Sequence, residues 1–249
     1  MAEMRQLHAY IVARKGRAGG SRAVRLLLAL AMVTCGLAVA PSAAGPAHAV
    51  PGVCPPICDA IPDSAWIAPT SIPLYPVYRW PGLAGLAVTA ASPRFGFEAL
   101  CGSPLLANDP RAYAVAARSV VLHEQGQWNL SVQVVHWRGD TATGGPMALT
   151  VLETARARLQ DCQSTAAGAS PSITTDEPRR IAAVISDAGH QVMHEYVLAQ
   201  PGSSSVVELA MWSTLPPQVD WPAVADAQVF DAMAAPLCDA YLGSCRSGG

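Results

Sequence analysis

The stretch that decides the fold runs from Val115 to Trp137 and reads VAARSVVLHEQGQWNLSVQVVHW. Two β-rich runs flank a turn-forming segment at residues 125–127, and in the second run the side chains alternate between two faces. The face expected to meet a core carries Trp128, Leu130, Val132, Val134 and His136. The face expected to meet water carries Asn129, Ser131 and Gln133. The pattern predicts an antiparallel hairpin in the middle of an α+β domain.

Far upstream of the hairpin, residues 1–49 have the features of a signal peptide. Six basic residues precede an apolar run at residues 26–40, and Ala47-His48-Ala49 has the small-any-small pattern of a cleavage site. The apolar run is short for a membrane-spanning helix, and an uncleaved anchor is the alternative. We expect cleavage before Val50, a mature protein that does not span a membrane, and a secreted, cell-wall or periplasmic location.

Removal of this segment leaves an acidic chain without lysine, because the only lysine is Lys15. Of sixteen basic and eighteen acidic residues, ten and seventeen remain after residue 49, a formal charge of −7. A basic footprint for nucleic acid is therefore absent. A phosphate-loop lysine and a Schiff-base lysine are excluded as well, and we expect no cofactor.

Six cysteines follow the predicted signal peptide, and an even number in an exported chain favours disulfides. They are Cys54, Cys58, Cys101, Cys162, Cys238 and Cys245. Six cysteines allow fifteen pairings, among which spacing alone does not choose. The spacings fit a zinc knuckle poorly, so no metal site is expected.

Between the signal peptide and the hairpin, residues 50–93 are rich in proline, which predicts an irregular arm. Its tryptophans and tyrosines are too apolar for a free linker, so the arm is expected to pack on a domain formed by residues 94–249. Residues 95–100 are expected to form a short strand or one helical turn.

After the hairpin, apolar residues at three- and four-residue spacing predict a helix over residues 147–162. A loop at 163–175 and three strands at 181–186, 190–199 and 206–212 follow. A second helix is expected to start at Asp220 as N-cap, end near residue 234 and break at Pro236. The fold class is α+β: an antiparallel sheet of a hairpin and a three-stranded meander, packed on one face against two main helices.

This order of elements resembles the mycobacterial PknH-type extracellular sensor domain family, including its secreted stand-alone relatives. The resemblance covers residues 94–242 and rests on spacing. The matching positions are Cys101-Gly102 with Pro104, Tyr113, Gln127-Trp128 and the helix end Arg158-Leu159-Gln160-Asp161-Cys162. Leu159 replaces a tryptophan common in the family, and the family's second cysteine pair is missing. The resemblance implies a disulfide between Cys101 and Cys162, leaving cross-pairs between the N-terminal Cys54 or Cys58 and the C-terminal Cys238 or Cys245.

Polar residues at the ends of the two hairpin strands are the candidate ligand-binding residues: His123, Glu124, His136, Trp137 and Arg138. A histidine beside a carboxylate can act as an acid-base pair, and Ser119 or Ser131 could serve as a nucleophile. No nucleophile-elbow motif accompanies them, so we expect no catalytic residue.

A second group, His190, His194 and Glu195, would suit a metal on a helix. On the predicted strand the two histidines lie about 13 Å apart, which is too far to share an ion.

These features predict an exported, non-enzymatic binding or sensor-like module of the cell envelope. Its ligand is expected to be apolar or amphipathic and to lie in a groove beside the sheet. The alternatives are a secreted hydrolase with an unmarked Ser/His site and a structural partner of another envelope protein.

Overall fold

A computed structural model describes residues 61–241 of the chain. These residues form one compact unit. The predicted signal peptide, together with Cys54, Cys58 and Cys245, lies outside the described residues.

The centre of the fold is a seven-stranded sheet in which every neighbouring pair of strands is antiparallel. The strands are β1 (Val88–Thr89), β2 (Val115–Val121), β3 (Asn129–His136), β4 (Ala169–Glu177), β5 (Arg180–Asp187), β6 (Gln191–Gln200) and β7 (Ser205–Thr214). Their spatial order is β1-β2-β3-β7-β6-β5-β4. The predicted hairpin is the β2–β3 pair, and the predicted α+β class with an antiparallel sheet is confirmed.

Four α-helices accompany the sheet within residues 61–241: α1 (Tyr75–Tyr78), α2 (Gly96–Leu100), α3 (Thr141–Thr165) and α4 (Asp226–Ala240). Short 3-10 turns connect several elements. In this part of the chain no helix combines the length and the apolar character needed to cross a membrane.

Helices α2 and α3 cover one face of the sheet. Leu152 and Leu159 of α3 are fully buried against strand residues such as Val135 and Val197. A disulfide joins Cys101, just after α2, to Cys162 near the end of α3, with 4.7 Å between the Cα atoms. The bond implied by the family resemblance is therefore present. Cys238 is also disulfide-bonded.

The opposite face of the sheet is covered by α4 and by the part of the proline-rich arm that the structure describes. Trp66, Trp80 and Leu83 of the arm are buried with Phe230 and Leu237 of α4. The indole of Trp80 donates a hydrogen bond to the Pro73 carbonyl at 2.8 Å, which holds the arm in a compact loop. Irregular backbone thus contributes to a core layer, and Val88–Thr89 pairs with the hairpin as edge strand β1.

The expectation that the sheet is covered on one face is therefore wrong, and so is the placement of Ser131 and Gln133 in water. Gln133 is fully buried beneath the α2 side, where its amide donates to the Pro93 carbonyl at 3.1 Å. Side chains of β3 alternate between the two faces of the sheet, and both faces are buried, one under α2 and α3 and the other under α4 and the arm. The alternation therefore separates an apolar buried layer from a partly polar buried layer.

Most of strand β4 (ASPSITTDE) falls in the segment 163–175, which is rich in Ser, Thr, Ala and Gly and for which the sequence predicts a loop. It lies at the sheet edge, where Pro171 and many exposed polar side chains are tolerated. The meander therefore has four strands, one more than predicted.

Both main helices also begin at residues other than those predicted. Helix α3 starts before the predicted residue 147, because the Asp140 carboxylate caps it by accepting from the Thr143 N–H at 2.7 Å. Helix α4 begins at Asp226, so Asp220 is not its N-cap, and it continues through Pro236. Buried Leu237 and the stacking of Tyr241 on His136 hold its last turn against the sheet.

The first turn of α3 lies against the β6–β7 turn. The Trp137 N–H donates to the Ser204 carbonyl at 2.9 Å, and Ser204 has a positive φ of 50°. A Cβ atom added at Gly144 would overlap the side chain of Ser204. Gly144 therefore permits this close packing.

We expect Gly144→Ala to destabilise the protein by about 1–3 kcal/mol through this overlap, although alanine normally favours a helix by about 1 kcal/mol over glycine. Chemical denaturation measures the free energy of unfolding. Gly85→Ala is the control, because no atom lies within 4 Å of its added Cβ. Equal stability of the two variants would contradict the packing argument.

Candidate functional site

The candidate residues of the hairpin lie in two groups at opposite ends of β3. His123 and Glu124 follow β2 at the turn end, whereas His136, Trp137 and Arg138 lie where β3 ends. Eight residues of strand separate the groups, a length of about 24 Å. The two groups therefore do not form a single site.

At the turn end, the His123 ring packs between the arm and the hairpin. Its Nδ1 lies 2.8 Å from the Trp128 carbonyl oxygen, and its centroid lies 5.1 Å from Tyr78 and 5.4 Å from Trp80. Glu124 is exposed beside it. His123 thus takes part in an aromatic contact that joins two parts of the fold.

At the other end, His136 Nδ1 lies 3.0 Å from Ser205 Oγ, and Tyr241 stacks on the imidazole at 4.2 Å. Burial lowers the pKa of His136 to about 4. The Ser205 hydroxyl donates to the Ser203 carbonyl at 2.9 Å, so its proton is directed away from the imidazole. Both side chains are buried, and their contact stabilises the strand end without exposing a nucleophile.

The remaining candidates are structural anchors or surface residues. Trp137 is buried and donates from Nε1 to the Pro110 carbonyl at 3.0 Å, while Arg138 is exposed. Ser119 is fully buried and donates to the Leu83 carbonyl at 2.6 Å. Ser131 is also buried. The two serines considered as nucleophiles thus face the interior.

His190, His194 and Glu195 do lie on or beside one strand, β6. His194 is buried on the α4 face, where its ring stacks on Trp221 at a centroid distance of 3.6 Å. Glu195 is buried on the other face, and His190 is exposed. Within residues 61–241 no group of three or more His, Cys, Asp or Glu side chains is arranged to hold a metal ion.

Glu195 and Glu208 form a carboxyl pair inside the sheet layer beneath α2, and both are fully buried. Burial, and then the neighbouring Glu208 carboxylate, raises the pKa of Glu195 well above its usual range. Burial also raises the pKa of Glu208, which accepts a hydrogen bond from the Gly96 N–H. Neither Glu195 oxygen accepts a hydrogen bond from a donor in the described chain. A single proton shared by the two carboxyls would satisfy both.

A groove that the sequence did not reveal lies beside the sheet on the α4 side. It has a volume of about 390 Å³ and is bordered by the β4–β5 turn, the end of β6 and α4. Its apolar wall is formed by Leu198, Phe230 and Ala234. We call this cavity the α4 groove.

Charged residues of both signs surround the α4 groove. Arg180 donates to both oxygens of Glu177 at 2.8 and 3.1 Å, and its guanidinium lies 5.4 Å above the Phe230 ring. Asp231 lies 3.8 Å from the same guanidinium. Arg179 is exposed, and among the described residues no carboxylate pairs with it. Two arginines and two acids make the rim neutral, with Arg179 free to contact a ligand.

Sequence reasoning missed the α4 groove because its walls come from three distant segments. Only the register of β5 with β6 places Arg180 opposite Leu198, and only the packing of α4 brings Phe230 near them. The Pro178-Arg179-Arg180 turn is the available sequence signal, but it points to a groove only once β4 is known, and most of β4 lies in the segment 163–175 predicted as a loop.

Comparison with models of known protein families and with curated proteins finds no match for this chain.

The two buried histidines predict an acid-dependent loss of stability. Burial lowers the pKa of His136 and of His194 to about 4, from the usual value of 6.5. Between these values the unfolded chain binds more protons than the folded chain, so the free energy of unfolding falls as the pH falls from 6.5 towards 4. The full loss is about 3 kcal/mol for each ring.

Urea denaturation across this pH range measures the slope. His194→Gln should remove about half of it, whereas His190→Gln, at an exposed position, should leave it unchanged. If the free energy of unfolding depends on pH equally in wild type, His194→Gln and His190→Gln, burial of His194 does not cause the pH dependence.

The buried carboxyl pair predicts the opposite dependence. Because the folded-state pKa of Glu195 is raised above 4.5, its contribution to stability is complete below that pH and is lost as the pH rises towards the folded-state pKa. Glu195→Gln should therefore gain stability relative to wild type as the pH is raised from 4.5 to 8, which thermal unfolding measures. Glu124→Gln, at an exposed position, is the control. If the stability difference between Glu195→Gln and wild type does not change with pH, the pKa of Glu195 is not raised by burial.

Proposed function

We propose that this protein is an exported, non-enzymatic binding or sensor-like module of the cell envelope that holds an amphipathic ligand in the α4 groove. The observation that carries the proposal is a cavity of about 390 Å³ with an apolar wall and a charged, solvent-facing rim. This volume lies within the range of small-molecule sites, which combine apolar walls with a few polar groups.

The apolar wall determines where the hydrophobic part of a ligand would lie. Leu198 and Phe230 are almost completely buried, yet both border the cavity, so they present a small apolar surface at its base. Ala234 leaves space above them because its side chain is a single methyl group. An acyl chain placed here would remove this surface from water, which favours binding.

The rim determines which headgroup fits. Glu177 and Asp231 balance Arg179 and Arg180, so a strongly charged headgroup of either sign gains little from the rim as a whole. Arg180 is held by Glu177, which leaves Arg179 as the group that can bind a phosphate or carboxylate. A zwitterionic headgroup satisfies both conditions, because its anion can meet Arg179 while its cation lies near Asp231.

The proposal also states that the protein is exported and that it is not an enzyme. The signal-like N-terminus and the Cys101–Cys162 disulfide support an oxidising compartment. The serine and histidine side chains considered for hydrolysis are engaged in buried contacts, so a hydrolase has less support. Labelling by a fluorophosphonate probe would favour the hydrolase and contradict the binding-only proposal.

The test fills the groove with a larger side chain. Ala234→Phe should weaken binding of lysophosphatidylethanolamine, a zwitterionic amphiphile, by about tenfold or more, because the phenyl ring occupies the acyl-chain position. Arg179→Gln should weaken it by about threefold to fivefold, as expected for an exposed charge. Native mass spectrometry and fluorescence titration of the mature chain measure both effects.

Ala235→Phe is the matched control, because Ala235 is the next residue of α4 and is exposed away from the groove. It should bind the lipid like wild type. If wild type binds no lysophospholipid, or if the two phenylalanine variants bind it equally, the α4 groove is not the ligand site.

A further inference from the structure

A second cavity lies on the other side of the molecule and has a different chemistry. It has a volume of about 200 Å³ and is bordered by the segment before α2, the loop that follows Cys101, and Arg158 of α3. It shares no lining residue with the α4 groove. Three of its residues are arginines, Arg94, Arg111 and Arg158, and we call it the arginine cavity.

Glu98 and Asp109 neutralise two of these three guanidinium groups. Arg111 donates to both Glu98 oxygens at 2.7 and 3.0 Å and contacts Asp109 at 2.6 Å. Arg158 forms an ion pair with the same Glu98 carboxylate and donates to the Pro104 carbonyl at 2.7 Å. Glu98 is almost fully buried, so this network is fixed within the fold.

Arg94 is the third guanidinium, and no carboxylate in the described chain pairs with it. Its terminal nitrogen donates to two carbonyl oxygens, that of Ser103 at 2.5 Å and that of Glu98 at 3.3 Å. Its Nε is buried and has no hydrogen-bond partner there. Three arginines face two carboxylates, so the cavity carries one positive charge in excess. Burial, and then the nearby charge of Arg94, lowers the pKa of Arg158, as expected when like charges are close.

The neighbouring acids do not remove this excess. Arg118 lies beside Arg94, since it donates to the Arg94 carbonyl, and it faces the Glu195–Glu208 pair. The cationic partners of that pair are Arg118 and, for Glu208, Arg111, so the pair does not neutralise Arg94. Asp109 lies close enough to interact electrostatically with Arg94, but its carboxylate is paired with Arg111. Arg94 itself forms no ion pair with a carboxylate of the described chain, and a guanidinium with a buried, unpaired donor gains from an anionic partner.

The rim of the arginine cavity also has an apolar side. Leu105 and Leu106 border the cavity and are 75% and 42% exposed, among the larger exposed apolar side chains of the described chain. Two neighbouring exposed leucines beside an uncompensated arginine fit a molecule with an anionic head and an apolar tail.

We infer that the arginine cavity binds the oxyanion head of an anionic amphiphile, a phosphate monoester or a carboxylate, with Arg94 as its principal contact and Leu105 and Leu106 against the apolar tail. This site is independent of the α4 groove, whose neutral rim suits a zwitterion. A free oxyanion such as inorganic phosphate has the same head chemistry as an anionic amphiphile. Comparing a probe without an apolar tail with one that has a tail distinguishes the two kinds of ligand.

The experiment titrates the mature chain with inorganic phosphate and, separately, with decyl phosphate below its micelle concentration, by calorimetry. Wild type should bind decyl phosphate at least about tenfold more tightly than inorganic phosphate, because only the former reaches the leucines. Arg94→Gln should weaken decyl phosphate binding by about tenfold or more. Arg94→Lys should recover part of the affinity, because it keeps the charge and loses the Nε donor.

Two further variants separate binding from folding. Leu105→Ser changes an exposed side chain, so the fold should persist, and it should weaken decyl phosphate but not inorganic phosphate. Arg156→Gln, which removes an arginine of α3 outside the cavity, should change neither. Circular dichroism confirms that each variant is folded.

The inference is overturned if decyl phosphate does not bind, if Arg94→Gln binds it as tightly as wild type, or if inorganic phosphate binds equally well. The same titration with Ala234→Phe distinguishes the two sites. Unchanged decyl phosphate binding in that variant supports a separate arginine cavity, whereas its loss would assign the ligand to the α4 groove.

Discussion

Burial of both faces of the central strands is the constraint on which the rest of the structure depends. β3, β7 and β6 lie in the middle of the sheet, with α2 and α3 on one side and α4 with the arm on the other. Each strand must therefore supply two sets of buried side chains. This explains why an irregular, proline-rich segment carries buried tryptophans: without it, residues such as Leu130 and Val132 would meet water, at a cost set by the apolar area exposed.

The same constraint places polar groups in the interior. Gln133, Glu195 and Glu208 lie on the α2 side of the sheet and are fully buried. Two of the three hydrogen-bond with the backbone of the segment around the start of α2. Gln133 donates to the Pro93 carbonyl, and Glu208 accepts from the Gly96 N–H. Glu195 is the exception, and a proton shared with Glu208 is the least costly way to keep it buried. The Glu98 network with Arg111 and Arg158 extends this polar layer to the surface, where Arg94 is left with an unbalanced charge.

The two proposed sites follow from how each face is covered. On the α4 face, α4 and the arm together leave the end of β6 partly open, which creates a groove with an apolar wall. On the α3 face, the loop held by the Cys101–Cys162 disulfide closes over an ion network and leaves a small cationic cavity. Neither site includes the hairpin-end residues suggested by the sequence. His123, His136 and Trp137 are polar groups with buried partners, and only exposed Glu124 and Arg138 remain available to solvent.

Local patterns determined much of the fold. The β2–β3 hairpin, the three strands β5, β6 and β7 and the apolar face of α3 with Leu152 and Leu159 could all be predicted, since each depends on a period of two or 3.6 along a short segment. Strand β4 and the passage of α4 through Pro236 could not, because edge pairing and packing against distant residues outweigh local propensity there. The start of α3 at Thr141, after its N-cap Asp140, was also missed. The polar ends of β3 are chemically similar in sequence, yet tertiary contacts bury one histidine under Tyr241 and pack the other against the stacked rings of Tyr78 and Trp80. The α4 groove and the arginine cavity were likewise decided by the tertiary structure alone, because each joins segments that only strand register and helix packing bring together.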